Sequence, residues 1–373
     1  MTDTQVIAGA IGSDEHTEVT PVFIVGTGRC GSTMLSNILR EHPAILSLSE
    51  FFASVTDVWT RIPQTFPEGT IPAYQFWEIL STHYPQQNVL IRLGIEVDEL
   101  LYPYRTQSSR FDAETGAPAI LQTTLPHLTD AHDALFDEVQ QFVLSRPSTL
   151  IGEHYQALFR WLQRRFKRQV WVERSGGSLN LTLRLLHHFP TAKFVHLVRD
   201  GRNFAISMSR YELSRLAFIR SELVKAMGYD PYESNDRSGL QNVPDELYPF
   251  LPEHFDIEAF RLYNSPPSPP YGDSWSITLS RGLKILTQVP ADRLLTLRFE
   301  DFLTTPEQSI RKLITFIHPT YADEAWIQRA ASAVRPARSS WQTLPAQEQA
   351  QLEKACQPGF QALEDFLLSH RQT

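Results

Sequence analysis

The sequence predicts an α/β protein: a P-loop-like parallel sheet that is flanked by helices and carries helical insertions. Apolar runs of strand length alternate with segments of helical spacing, which is typical of a parallel sheet covered by helices. A glycine-rich turn joins the first apolar run to the first helical segment. The chain of 373 residues, 42% of them hydrophobic, is long enough to bury a large core.

The amino-terminal elements begin at Pro21. Residues 22–25 form the first predicted strand, and the apolar spacing of residues 34–39 predicts a helix. This helix is expected to end at His42-Pro43, because the residue before a proline disfavours the helical conformation. Residues 44–48 predict a second strand. The polar, aperiodic residues 1–19 are predicted to form a disordered tail.

The later elements alternate in the same way. Their predicted bounds, in chain order, are a helix at 135–144, a basic helix-like stretch at 160–168, a strand at 170–172, a helix at 179–189, a strand at 193–198, a mostly helical segment at 210–262, a proline-rich loop without helix at 264–273, a helix at 275–289, a strand at 294–299 and two further helices. We interpret residues 20–373 as one domain with substrate-side insertions near 53–150 and 212–270.

The composition argues against several classes of protein. A net charge of −8 is unlike a sequence-independent nucleic-acid binder, although it leaves room for a local basic pocket. Two cysteines, Cys30 and Cys356, do not make a disulfide framework, which indicates a reducing compartment. The first residues lack the pattern of a signal peptide, and no apolar run approaches the roughly 18 residues of a membrane helix. We therefore expect a cytoplasmic protein without a transmembrane segment, and the sequence carries no signal for an oligomeric state.

The stretch GTGRCGST at residues 26–33 is a candidate anion-binding loop. Gly26 and Gly31 occupy the two glycine positions of the P-loop pattern, but Ser32 stands at the lysine position and the cation, Arg29, lies inside the loop. A turn of this kind directs backbone N–H groups and the positive end of a helix dipole at one spot. Ser32 and Thr33 add hydroxyl donors. The alternative is an ordinary strand-to-helix turn in which the serine and the threonine cap the helix.

The missing lysine argues against a magnesium-dependent nucleotide site. In P-loop NTPases that lysine reaches the terminal phosphates, and a strand-end aspartate helps to hold Mg²⁺. No aspartate in this sequence is clearly assigned to that role, since Asp200 follows Arg199 and opens a turn. A donor whose transferred group is singly charged does not need the metal. We therefore predict no metal site and assign Arg29 to the charge on the leaving phosphate.

The stretch AKFVHLVRDGRNFAISMSRY at residues 192–211 is a second candidate phosphate site. Arg199 ends an apolar strand, and Ser207 lies eight residues later in the next helical segment. Strand-end residues at the carboxyl edge of a parallel sheet face the ligand crevice. The alternative is that Asp200-Gly201-Arg202 forms a turn with a surface ion pair.

Together the two stretches resemble the sulfotransferase family that uses 3′-phosphoadenosine 5′-phosphosulfate. GTGRCGST is similar to the family's 5′-phosphosulfate loop, and FVHLVRDGRNFAIS is similar to its 3′-phosphate element. The resemblance implies that both stretches bind this donor and that adenosine 3′,5′-bisphosphate is the product. The residues that it implicates are Thr27, Gly28, Arg29, Cys30, Gly31, Ser32, Thr33, Arg199 and Ser207.

Three further stretches extend the resemblance to about half of the chain. WVERSGGS at 171–178 lies where many relatives have a lysine followed by Asp-Pro or Thr-Pro. Arg174 takes that place, and we expect it to assist catalysis if its side chain turns inward. RFEDFLTTPEQSIRKLITFI at 298–317 is similar to the family's R-Y-E-D-L element. ARSSWQTLP at 337–345 resembles the S-x-W segment that closes over the cofactor, which implicates Arg338 and Ser339.

Glu50 is the candidate general base. It follows the second predicted strand, on the same sheet edge as the loop, and sulfuryl transfer needs a group that deprotonates the acceptor. Its position is similar to that of the catalytic glutamate in tyrosylprotein-type sulfotransferases. The alternative is a helix-capping role before Phe51. Cytosolic small-molecule sulfotransferases use a histidine instead, but His42 is interpreted as structural and His154 as a weaker candidate.

The remaining reactive and aromatic side chains are assigned ordinary roles or left between two. His132 has no second histidine or cysteine at ligand spacing and is assigned to a solvated helix face. Cys30 lies where its thiol pKa could be lowered, yet we assign it no nucleophilic role. Six aromatic residues fit an acceptor-pocket wall and an ordinary core equally well: Phe51, Phe52, Trp59, Phe76, Trp77 and Tyr211.

These observations predict a sulfotransferase that moves a sulfuryl group to a hydroxyl of a small molecule, lipid, sugar or carrier-bound intermediate, in line and without a metal. A P-loop-type nucleotide kinase is one alternative, but it would need Mg²⁺ and the lysine. A non-catalytic nucleotide-binding module is the other, and it predicts that Glu50 is dispensable.

Overall fold

The computed structural model describes residues 20–106, 109–264, 266–335 and 340–370. The predicted tail at 1–19 lies outside the described residues, as do Arg338 and Ser339. Within the described residues, no helix combines the length and the apolar character that crossing a membrane requires.

The described residues form seven strands. They are β1 Val22–Val25, β2 Ile45–Ser49, β3 Thr70–Ile71, β4 Thr149–Leu150, β5 Val170–Arg174, β6 Lys193–Val198 and β7 Leu294–Arg298. Five of them form the parallel sheet at the centre of the described fold, in the order β2-β5-β1-β6-β7. The other two, β3 and β4, form a short antiparallel pair.

The strand order places a topological switch at β1. From β1 the chain passes to β2 on one side of the sheet, returns to β5 beside β1, and then continues to β6 on the other side. In parallel α/β sheets, ligands bind in the crevice outside the carboxyl ends of the strands at such a switch. Glu50, Ser175 and Arg199 directly follow β2, β5 and β6, so they start from this edge.

Helices cover both faces of the sheet. Their bounds are α1 Ser32–Arg40, α2 Phe51–Val55, α3 Ile62–Thr65, α4 Ala73–Ser81, α5 Pro85–Arg92, α6 Ala119–Gln122, α7 Thr124–Leu128, α8 His132–Leu144, α9 Ile151–Arg165, α10 Thr182–His188, α11 Gly201–Ser209, α12 Glu212–Met227, α13 Ile257–Leu262, α14 Pro269–Leu286, α15 Phe299–Thr304, α16 Pro306–Ile317, α17 Glu324–Ser332 and α18 Ala346–His370.

The core lies on the two faces of the sheet and follows the alternation of side chains along each strand. In β1, Phe23 and Val25 pack into the cluster with α9, α14 and α18, whereas Val22 and Ile24 pack into the cluster with α1, α16 and α17. A third cluster joins α5 to α12 and α13. This third cluster consists of residues from the two predicted insertions and borders the cavity described below.

The predicted fold class and the five strands of the parallel sheet are confirmed, with strand ends shifted by two residues or fewer. The prediction that 264–273 excludes helix is wrong, because α14 begins at Pro269. Proline is tolerated in the first helical turn, where its missing N–H has no intrahelical partner.

Two other helix predictions hold only in part. The segment 210–262 is helical at α12 and α13, but within 228–256 the described helical structure is two short 3₁₀ turns. The carboxyl-terminal part contains four described helices, α15 to α18, rather than two.

Candidate active site

A cavity of about 630 Å³ opens at the carboxyl edge of the sheet. Its walls come from the glycine-rich loop, the ends of β2, β5 and β6, helices α11, α12 and α14, and the insertion near 53–150. The lining residues are Thr27, Gly28, Arg29, Gly31, Ser32, Thr33, Glu50, Ala53, Val58, Trp59, Leu90, Val97, Asp98, Glu99, Leu100, Thr123, Gly176, Gly177, Asn180, Arg199, Phe204, Ser207, Met208, Tyr211, Leu213, Ser214, Ala217, Ser274, Thr278 and Phe299.

The loop after β1 has a backbone that glycine makes possible. Gly28 and Gly31 have φ values of 83° and 86°, in the left-handed region. A Cβ on Gly31 would lie 2.2 Å from a ring carbon of Phe299, so this position also has no room for a side chain. The two glycines therefore allow both the tight turn and its close approach to the start of α15.

The amino terminus of α1 faces this loop without a side-chain cap. Gly31 is the N-cap residue, no side chain caps it, and the first turn contains no acidic residue. Ser32 and Thr33 line the cavity instead. The capping alternative is therefore not what the structure shows, and the amino terminus of α1, with its positive dipole end, is favourable for an anion.

Arg29 extends across the cavity. Its Nε donates to Ser207 Oγ at 3.3 Å and its Nη1 lies 2.5 Å from Glu99 Oε1. The guanidinium carbon is 4.5 Å from the centre of the Tyr211 ring, a cation–π contact. Arg29 thus links the glycine-rich loop after β1 to Ser207 of helix α11 and to Glu99 of the predicted insertion near 53–150.

Arg199 lies beside the same loop. Its Nη1 donates to the backbone oxygen of Arg29 at 2.9 Å, and its guanidinium lies 5.0 Å from the Phe299 ring centre. Burial lowers the pKa of Arg199, and its buried Nε has no hydrogen-bond partner among the described residues. An unpaired buried donor on a cationic side chain at a cavity wall is what an anionic ligand would satisfy.

The turn after Arg199 also contains the ion pair of the alternative interpretation. Asp200 caps α11 by accepting from the Arg202 backbone N–H at 2.9 Å, and its carboxylate pairs with the Arg202 side chain. These contacts leave Arg199 and Ser207 on the cavity wall. The turn with its ion pair and the cavity-lining residues therefore coexist.

Glu50 is an N-cap residue that does not cap. It precedes α2 with φ 53°, but its side chain makes no cap hydrogen bond. Its Oε2 accepts from the Gly176 N–H at 2.9 Å, and its Oε1 accepts from the Arg174 guanidinium. The carboxylate is 10% exposed and lines the cavity, so the helix-capping alternative is wrong for this side chain.

Arg174 is not among the described residues that line the cavity, and its assistance to catalysis, expected if its side chain turns inward, stays a prediction. Its residue is 1% exposed, and it donates to Glu50 Oε1 and, at 2.8 Å, to Ser49 Oγ. The neighbouring Glu173 is fully buried and accepts from Ser175 Oγ at 2.5 Å. Burial raises the pKa of Glu173 to about 8.

The other predicted candidates lie away from the cavity. The Cys30 side chain is buried in the cluster with α1, and burial raises its thiol pKa, the opposite of the lowered pKa considered from the sequence. His42 interacts with the Tyr321 backbone oxygen at 3.2 Å, and His154 with the Ile71 backbone oxygen at 3.1 Å. His132 packs against Tyr102, and no metal-ligand cluster occurs among the described residues.

The six aromatic candidates separate into wall and core. Trp59 and Tyr211 line the cavity. The other four belong to the large hydrophobic cluster or pack against it: Phe51, Phe52, Phe76 and Trp77.

Several cavity residues were not predicted from the sequence. Asp98 and Glu99 lie in an irregular segment of the predicted insertion near 53–150, and Asn180, Ser274 and Thr278 also line the cavity. An adjacent acidic pair in a segment without periodicity carries no signal for a cavity. The pairing of Glu99 with Arg29 joins residues 70 positions apart and depends on the fold.

The sheet edge and its cavity define an α/β protein with a candidate anion-binding site. The chain belongs to the sulfotransferase family, since that family's model matches residues 21–233, more than half of the sequence. It is a sulfotransferase, and the kinase and binding-module alternatives are not favoured.

Comparison with solved structures finds similar sulfotransferases. The sulfotransferase domain of the Synechococcus PCC 7002 olefin synthase is 17% identical, with a TM-score of 0.38 over 91% of this chain and 95% of that chain. The sulfotransferase from Alicyclobacillus acidocaldarius is 16% identical, with a TM-score of 0.38 over 93% and 94%. STF9 from Mycobacterium avium is 16% identical, with a TM-score of 0.40 over 93% and 76%. Comparison with curated proteins finds no match.

Proposed function

We propose that this sulfotransferase uses 3′-phosphoadenosine 5′-phosphosulfate as donor and a hydroxyl compound as acceptor, with adenosine 3′,5′-bisphosphate as product. One observation carries the proposal: the glycine-rich loop, Arg199, Ser207 and Glu50 line one cavity. Sulfuryl transfer from this donor to a hydroxyl requires three elements. They are a loop that binds the phosphosulfate, a cationic site for the second phosphate, and a carboxylate that accepts the hydroxyl proton.

The donor end is assigned to the loop and to the end of β6. Residues 27–33, with the uncapped N–H groups of α1, would hold the 5′-phosphosulfate. Arg199, whose Nε has no hydrogen-bond partner among the described residues, would hold the 3′-phosphate together with Ser207. Cys30 would contribute its backbone only, since its side chain is buried behind the loop. Arg338 and Ser339 stay a prediction of donor contact.

Glu50 is assigned as the general base and Arg29 as the cation at the transferring group. The Glu50 carboxylate would take the proton of the acceptor hydroxyl as the oxygen bonds to sulfur. Each of its oxygens already accepts one hydrogen bond, and each keeps a further lone pair for that proton. Arg29, with its guanidinium in the cavity, would offset the negative charge on the leaving phosphate oxygen.

Arg174 is assigned a positioning role. It is buried and donates to Glu50 and to Ser49, so it holds the carboxylate at the cavity wall and does not itself reach the substrate. A lysine-like contact with the donor is thus not part of this proposal.

Residues 20–373 are proposed to form one domain, with the insertions on the acceptor side. The large hydrophobic cluster supports this because it contains strand residues, such as Phe23 and Phe194, together with insertion residues, such as Phe76 and Tyr102. Cys30 and Cys356 are both free and buried, which fits a reducing, cytoplasmic location.

Incubation with sulfur-labelled donor and a panel of hydroxyl acceptors, with and without EDTA, tests the proposal. We expect slow donor hydrolysis, faster label transfer to an acceptor, and no effect of EDTA on either rate. Metal-dependent ATP turnover without binding of the phosphosulfate donor would contradict the proposal. A Glu41→Gln variant, assayed in parallel, is expected to keep both rates, because this glutamate is exposed at the end of α1 and does not line the cavity.

A further inference from the structure

The acceptor end of the cavity has an apolar wall. Its lining side chains from the two insertions include Val58, Trp59, Leu90, Val97, Leu100 and Leu213. Several of them also belong to the third hydrophobic cluster or pack against it, so a packed layer supports this wall. A wall of this composition favours an acceptor with an apolar body.

The charges at this end are all carboxylates. Glu50, Asp98 and Glu99 line the cavity, whereas the basic side chains among the described lining residues are Arg29 and Arg199. Both arginines lie where the anionic donor is proposed to bind. Glu50 pairs with the buried Arg174, whereas Glu99 pairs with Arg29, so a donor bound at Arg29 would leave Glu99 sharing its cation.

Among these carboxylates, Glu99 is the one whose paired cation, Arg29, is also proposed to bind the donor. Thr123 Oγ1 donates to its backbone oxygen at 2.6 Å, which fixes its segment, and its side chain is only 18% exposed. The cation that pairs with the Glu99 carboxylate is Arg29. The donor's sulfuryl group would draw on that same guanidinium. A half-buried carboxylate that shares its cation in this way repels a second anion nearby.

We propose that the acceptor is an apolar hydroxyl compound that carries no anionic group close to its hydroxyl, and that Glu99 is the residue that rejects anionic acceptors. This inference rests on the proposed function, because it takes the loop end of the cavity as the donor site. It narrows the acceptor from any hydroxyl compound to uncharged or cationic apolar alcohols and phenols. Rejection by an unfavourable charge is a common source of specificity in binding sites.

The test uses two matched acceptor series, meta-substituted phenols and long-chain primary alcohols that are substituted at carbon 3. In each series the substituent near the hydroxyl is methyl, ammonium or carboxylate, so that only the charge close to the hydroxyl differs. In the series whose methyl form has the higher kcat/KM, we expect kcat/KM for the carboxylate form to be at least about tenfold lower than for the methyl form. In Glu99→Gln the ratio of kcat/KM for the methyl form to kcat/KM for the carboxylate form should shrink by at least about threefold. Glu96→Gln is the matched control, because Glu96 is exposed, pairs with Arg105 and lies outside the cavity lining.

Two results would overturn the inference. One is a carboxylate form that is used as well as its methyl partner, and the other is a pair of series in which no methyl or ammonium form is used at all. An unchanged ratio in Glu99→Gln would remove Glu99 as the selecting residue. Donor hydrolysis by the same samples separates these failures from a failure of the proposed function, since it reports on donor use without any acceptor.

Discussion

The proposed donor end and the proposed acceptor end of the cavity differ in how the chain builds them. The donor end is made from loops that directly follow parallel strands, with Arg29 and Arg199 close to the ends of β1 and β6. The acceptor end is made from insertions, with Trp59, Glu99 and Leu213 coming from separate segments. The first is fixed by local motifs on a sheet edge, and the second by tertiary packing.

This difference yields predictions that separate the two ends. A variant of a residue that acts on the acceptor should change transfer and spare donor binding. A variant at the donor end should change nucleotide affinity first.

Glu50→Gln is expected to have the largest effect. Loss of a general base typically costs about 10²–10⁴-fold in rate, so label transfer should fall by this amount. Calorimetric affinity for adenosine 3′,5′-bisphosphate should stay within about twofold, since the glutamine keeps the size of the side chain and the Glu50 carboxylate bonds to Arg174 and Gly176. Full transfer activity in this variant would remove Glu50 as the base and merge the two ends into one binding site.

Arg199→Ala is expected to have an intermediate effect, confined to the donor end. Loss of a hydrogen bond to a charged group costs about 1.5–3 kcal/mol, so the affinity for adenosine 3′,5′-bisphosphate should fall by roughly ten- to 150-fold. The affinity for adenosine 5′-phosphate, which lacks the 3′-phosphate, should change much less. Arg210→Ala is the control, because Arg210 is exposed at the end of α11 and is not among the residues that line the cavity.

Equal losses for the two nucleotides in Arg199→Ala would contradict its assignment to the 3′-phosphate. They would place Arg199 at the part that both nucleotides share.

Glu173→Gln is expected to have the smallest effect, on the pH dependence of stability. Burial raises the pKa of Glu173 from 4.5 to about 8, so between these values the folded protein keeps a proton that the unfolded chain has lost. Stability contributed by this group is therefore fully present below pH 4.5 and is lost as pH rises towards 8, by at most about 1.4 kcal/mol per pH unit. Urea unfolding from pH 5 to pH 8 should show a shallower decline in the variant. An identical slope in both proteins would mean that Glu173 does not titrate in this range.

The sheet could be predicted from the sequence, and so could the position of the proposed donor-binding residues at one sheet edge, because both depend on local patterns. Apolar runs located the strands. Residues that directly follow parallel strands, such as Glu50 and Arg199, necessarily lie at the carboxyl edge of the sheet. The proline-rich start of α14 was missed, because two prolines within the first turn read as a loop although that turn tolerates them.

The acceptor end was not predictable in the same way. The ion pair between Glu99 and Arg29 joins residues that are distant in sequence. Among the aromatic candidates, Trp59 and Tyr211 line the cavity, whereas Phe51 and Phe52 lie in the core. Periodicity gives no orientation to residues in irregular segments. Arg174 shows the same limit on a strand, since its place in the sheet was predicted but the direction of its side chain towards Glu50 was not.

A crystal structure with adenosine 3′,5′-bisphosphate tests the central claim most directly, namely that the donor occupies the loop end of this cavity. We predict the 5′-phosphate at the amino terminus of α1, within hydrogen-bond distance of the loop at 27–33, and the 3′-phosphate on Arg199 and Ser207. Nucleotide bound with its phosphates against the insertions, or outside this cavity, would contradict the account.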